Sequence, residues 1–147
     1  MNNKIKHLEM IQNIISRLST HSFALKSLAV TLLAALISTV SILSDKIESS
    51  NFRLIIIFIP IIFYILDSYY LWKERQFRTL YDSVRLKNNN AIDFCMEISP
   101  IDRKKISFFE CLTSSSEMFF YLPIWIMLFM TFFNSSIIKI CQKLISL

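Results

Sequence analysis

The stretch Phe63–Arg85 reads FYILDSYYLWKERQFRTLYDSVR. It opens as the end of an apolar run and closes as a charged helix. Phe77, Leu80, Tyr81 and Val84 continue an apolar stripe at helical spacing, while Glu74 and Arg78 form an i,i+4 ion pair. Upstream lies LIIIFIPIIFYIL, Leu54–Leu66, the core of a predicted transmembrane helix over residues 53–72. Pro60 predicts a kink inside it. Tyr69, Tyr70 and Trp72 are amphipathic rings of the kind that settle at a membrane–water interface. The stretch therefore predicts one helix that crosses a bilayer and runs on beyond it. Asp67 is the anomaly, a carboxylate at the level where hydrocarbon should give way to polar contacts.

Composition agrees with a membrane protein. Of 147 residues, 54% are hydrophobic and 18% charged, with no glycine; an average chain of this length would carry roughly ten glycines. Without glycine, Gly-rich phosphate loops, nucleophile elbows and GxxxG helix crossings are excluded. Cys95, Cys111 and Cys141 have neither paired nor zinc-like spacing and read as apolar fillers. His7 and His21 have no acidic or thiol partner at ligand spacing. The net charge of +5 points to anionic lipid head groups as the simplest counterpart. No cofactor, metal, small-molecule substrate or enzymatic activity is expected.

The fold class that follows is an all-α membrane protein, residues 1–147 forming a single membrane domain. Residues 1–22 carry Ile5, Leu8, Ile11, Ile15 and Leu18 on one face, an amphipathic cytoplasmic helix rather than a signal peptide. Residues 23–43 form transmembrane helix 1, and Ser44–Phe52 a polar loop before transmembrane helix 2. Residues 73–116 are expected as a cytoplasmic helical segment. Within it KNNNAID, Lys87–Asp93, predicts a turn, and Ser99–Pro100 a helix start with Ile101, Phe108, Phe109 and Leu112 on its apolar side. Residues 118–138, around the apolar run Met118–Phe133, are expected as a third membrane helix, crossing or re-entrant. The tail from Ile137 is apolar with two lysines.

The basic residues orient this plan. Lys4, Lys6, Arg17 and Lys26 precede or open the first span. Lys73, Arg75, Arg78, Arg85, Lys87, Arg103, Lys104 and Lys105 lie between the second and third. Of the 16 lysines and arginines, only Lys46, Arg53, Lys139 and Lys143 fall on the other side. The positive-inside rule then puts the N-terminus in the cytoplasm of a bacterial inner membrane.

Three constellations can carry function. In the first, Lys26 and Asp67 lie toward the cytoplasmic ends of antiparallel neighbours and can pair. Asp67 can instead sit among head groups, find another polar partner, or line a wet path in an oligomer. The second is the small face of the first span, Ser27, Thr31, Ala34, Ala35 and Ser38. It reads as a helix-packing seam or, in a homo-oligomer, a polar pore lining. The third is a partner-binding set, Arg75, Arg78, Arg85, Lys104 and Lys105.

Two stretches resemble small bacterial membrane proteins of mobile and anti-phage loci. They are KHLEMIQNIISRLSTHSFALKSLAVTLLAAL, Lys6–Leu36, and LDSYYLWKERQFRTLYDSVR, Leu66–Arg85. The nearest class is the two-transmembrane effectors of phage defence, including those encoded beside retron reverse transcriptases. The resemblance implies a toxin kept silent until infection, which then depolarises the inner membrane. It also implies a cytoplasmic regulator such as a reverse transcriptase with its nucleic acid, touched by the basic set. The third apolar segment departs from a two-span plan. The alternative is a non-toxic membrane anchor or scaffold for a cytoplasmic complex.

Overall fold

Nothing in the first forty residues interrupts a helix, since the segment lacks both proline and glycine. The computed structural model describes residues 2–42, 50–89, 92–100 and 106–145, and α1 covers Asn2–Ile42 without a break. The boundary expected between residues 22 and 23 is therefore absent. Thr20 turns its hydroxyl back onto the Ser16 carbonyl at 2.9 Å and stays in the helix. Helix α2, Ser50–Leu86, passes through Pro60 as one element. Ser50–Phe52, expected in the loop, form its first turn; the remainder of that loop, residues 44 to 49, and residue 43 of the expected first span lie outside the described residues.

At 1.5 Å per residue, α1 is about 60 Å long and α2 about 55 Å, roughly twice the thickness of a bilayer's hydrocarbon core. Both contain windows long and apolar enough to cross a membrane, and only 11% and 22% of those windows are buried within the monomer. Core helices of a soluble protein would be mostly buried, whereas the apolar faces of these two helices are largely exposed within the monomer.

The two helices pack antiparallel along their length. At one end the Lys4 ammonium donates to the Lys87 carbonyl at 2.8 Å. Next comes an apolar cluster of Ile11, Ile15, Leu80, Val84 and Ile98. Beyond the middle of the pair, Leu33 and Ile56 meet Leu128 of a further helix. Between the two clusters lies a layer of buried polar groups.

Of the expected helical segment 73–116, the described residues are helical as far as Leu86, at Pro100, over Phe108–Leu112 as α3, and from Ser115. Residues 92–99 are irregular, and Ile92, Met96 and Ile98 lie over the first cluster as a strap. The strap is locally specified. The Asp93 carboxylate accepts from the Cys95 N–H at 3.2 Å, and this bond holds Asp93 below the usual carboxylate range. Phe94 takes a left-handed φ of 53° and sets its ring 5.4 Å from that of His7. A bulky residue at positive φ costs about 1–3 kcal/mol, which the surrounding contacts must offset. Pro100 is helical, and Ile101 lies outside the described residues. Ser107 caps α3, its hydroxyl accepting from the Phe109 N–H at 3.3 Å. Phe108 packs edge-on against Trp72 at 6.1 Å, whereas Phe109, expected on the apolar side, is exposed.

Helix α4, Ser115–Ile145, contains the third apolar segment and absorbs most of the tail. Within it Ser115–Met130 is apolar, and the sequence runs on apolar to Phe133. Among the described residues there are helices and no strands.

Candidate functional site

The polar layer is built where α1, α2 and the start of α4 meet. Lys26 lies one helical turn beyond Ser22 on α1, so both side chains face α2 at the level of Asp67. The Ser22 hydroxyl donates to Asp67 Oδ1 at 2.5 Å. The Lys26 ammonium donates to Asp67 Oδ2, to Ser22 Oγ at 3.2 Å and to Glu117 Oε1 at 3.1 Å. All three ammonium donors are thereby used. Tyr121, one turn after Glu117, adds its hydroxyl to Asp67 Oδ2 at 3.3 Å. The Phe120 ring centroid lies 5.7 Å from the Lys26 nitrogen.

This site is dry. The Lys26 side chain is 16% exposed, Asp67 0% and Glu117 1%. A buried ion pair is retained only if its remaining lone pairs and protons find partners. Asp67 meets that condition with three donors, but Glu117 does not, since its Oε2 has none. The site therefore holds one ammonium against two carboxyl groups, with a bare oxygen on the second. The neighbouring Ser68 hydroxyl is also buried without a partner.

A row of α2 side chains fastens the segment that leads into α4. The Tyr64 hydroxyl donates to the Leu112 carbonyl, Trp72 Nε1 to the Ile106 carbonyl at 3.0 Å, and Arg75 Nη2 to Ser114 Oγ at 2.8 Å. Tyr64 also meets Tyr121 edge-on at 5.2 Å. These contacts deliver Glu117 to Lys26. Burial pushes the thiol of Cys111 on α3 above its ordinary range, which keeps it neutral. At the outer surface of this level, Lys73 sits over Trp72 at 4.9 Å and Tyr69 at 5.6 Å.

The structure brings Lys26 and Asp67 together and adds Ser22, Glu117 and Tyr121, which the sequence reading did not include. One signal pointed to Glu117: it is a lone acid directly ahead of the apolar run Met118–Phe133. Ser27, Thr31, Ala34, Ala35 and Ser38 all lie exposed on α1. The hydroxyls of Thr31 and Ser38 are turned onto the carbonyls of Ser27 and Ala34, at 2.9 and 2.8 Å. Of the basic set, the three arginines are described, and each has a partner within the chain. Arg75 is engaged with Ser114, whereas Arg78 pairs with Glu74 at 2.5 Å and Arg85 with Asp82 at 3.5 Å. Lys104 and Lys105 lie outside the described residues.

Among the described residues no group of His, Cys, Asp and Glu could hold a metal ion. Comparison with protein-family models, with curated proteins and with solved structures finds no match.

Proposed function

We propose that this chain is a membrane-disrupting effector of the bacterial inner membrane, held in a closed form by the Lys26–Asp67–Glu117 contact. The observation that carries the reading is one buried ammonium joined to acids on two other helices. Such a contact is asymmetric. Complete, it is close to neutral in free energy, but broken it leaves uncompensated buried charge at a cost of about 3–5 kcal/mol. Release of α4 would leave groups at the membrane boundary that need water or a second copy of the chain. The exposed small face of α1 offers close approach to such copies. Opening would then create a polar path and depolarise the cell.

The position of the layer supports this reading. On one side of it the surface of α1 and α2 carries Lys6, Glu9, Gln12, Arg17, Arg78, Asp82 and Arg85. On the other side the exposed side chains include Leu28, Val30, Leu32, Phe58, Ile62, Ile65 and, on α4, Phe119, Leu122 and Ile126. In the proposal lipid covers the second side and the N-terminus is cytoplasmic. The defence setting, with a cytoplasmic regulator that releases the contact on infection, rests on the resemblance of Lys6–Leu36 and Leu66–Arg85.

The test is membrane potential and growth after induction of the chain alone, beside Asp67→Asn and Lys26→Met. Depolarisation that these substitutions intensify supports a closed form held by the contact. Equal, unperturbed potentials with all three proteins confirmed in the membrane would sink the effector reading. The second reading is an anchor, favoured by the separate apolar cluster under the strap, which gives the extension a packed base of its own. Harmless accumulation together with co-purification of one cytoplasmic protein supports it.

A further inference from the structure

The layer that joins the three helices has an unbalanced charge. Two carboxyl groups, 0% and 1% exposed, face one ammonium. Lys26 has no donor left, having given one each to Ser22, Asp67 and Glu117. Tyr121 and Ser22 both spend their protons on Asp67. The groups that face Glu117 are Lys26 from α1, Asp67 and Tyr64 from α2, Cys111 from α3 and Tyr121 from its own helix. Lys26 is the one cation shown in hydrogen-bonding contact with it among the described residues, and Arg75 is bound to Ser114. Asp67 and Glu117 both accept from the same Lys26 nitrogen, so one ammonium stands between two buried carboxyl groups. Two negative charges against one cation in a buried site do not both persist, so one of the two carboxyl groups keeps its proton.

We infer that the Lys26–Asp67–Glu117 cluster is a proton-binding site: it holds one dissociable proton between Asp67 and Glu117, and occupancy by that proton keeps α4 docked on α1 and α2. This deepens the closed-contact reading and rests on it for its consequence in the cell, although the proton site is testable by itself. With the proton bound, the cluster is neutral, one ammonium against one carboxylate and one carboxylic acid. When the proton leaves, the extra negative charge lies in a site with Glu117 Oε2 already bare. The helix carrying Glu117 then gains by moving that carboxylate to water. The sign follows from linkage. The folded chain binds this proton more tightly than the unfolded chain, so stability is full at low pH and falls as pH rises through the folded-state value.

The experiment uses the full chain in lipid nanodiscs. Infrared difference spectra between acidic and alkaline buffer read a protonated carboxyl stretch, and thermal unfolding is followed over the same pH series. For the native chain we expect the carboxyl band at neutral pH and a Tm that drops by about 5 °C between about pH 5 and pH 8. Glu117→Gln, a permanent mimic of the protonated acid, should lose the pH dependence and match the native chain at the acidic end. A native chain with no carboxyl band at neutral pH overturns the inference, whether or not the variant folds. So does a pH slope that survives in Glu117→Gln, or recovery of stability by sodium at fixed alkaline pH, which would mean a metal cation fills the site. Dye release from liposomes separates the two proposals. A carboxyl band together with leakage indifferent to Asp67→Asn leaves the proton site standing and removes the closed-contact reading.

Discussion

The two apolar clusters are built on the same pair of helices but answer to different surroundings. Around Ile11, Ile15, Leu80 and Val84, α1 and α2 bury an apolar seam and expose charge, and a strap covers the open side. Around Leu33, Ile56 and Leu128, the buried seam is thin and the exposed surface is itself apolar. The first is the pattern of a protein in water, where burial is driven by removing apolar area from solvent. The second is the pattern expected in lipid, where the hydrophobic effect between helices vanishes and close packing and polar contacts hold them. A continuous helix can therefore pass from one regime to the other without any backbone signal, and the charged layer lies at the change.

The largest expected effect is at that layer. Lys26→Met leaves Asp67 and Glu117 buried without their cation and should lower stability by about 3–5 kcal/mol, read as a fall in Tm in detergent. Next, truncation in the two clusters should cost different amounts. Ile11→Ala should cost about 2–5 kcal/mol, as for a water-side core. Leu33→Ala should cost less than half of that in nanodiscs, because lipid is as apolar as the seam it would replace. Equal costs, measured by hydrogen exchange of each half, would break the comparison between the clusters. A smaller gain is expected at Gln76, whose amide is buried on the water side with no partner. Gln76→Met keeps the volume, removes the unsatisfied group and should stabilise the extension by about 1 kcal/mol. The smallest effect is at Arg78, which is 65% exposed and paired on its own helix. Arg78→Ala should shift stability by less than about 0.5 kcal/mol.

How far these regions were legible depended on distance along the chain. Helical periodicity is a local property, so α1, α2 and the run inside α4 could be read from spacing. Lys26 and Asp67 could be set at one level because a short connection forces neighbouring helices antiparallel. Glu117 is 91 residues from Lys26, and no local pattern states which side of the hairpin α4 approaches. The break between residues 22 and 23 was a change of surface character, from mixed to apolar, read as a change of structure. The strap was hardest, because Phe94 at positive φ contradicts its own backbone preference and is held there by tertiary contacts. The acids one turn away on α2 that pair with Arg78 and Arg85 lie at local spacing and could be read directly from the sequence.

The unbroken course of α1 has a mechanical consequence. Ser22 and Lys26 stand near its midpoint, so the polar layer is a fulcrum with an arm of about 30 Å on either side. A stiff rod transmits rotation without loss. A tilt of about 10° around Asp67 would carry each tip through about 5 Å, as much as one helical turn rises. A push on Ile5 or Met10 would therefore act at a distance on Thr31 and Ser38, and a push at that end would act in the reverse direction on the strap.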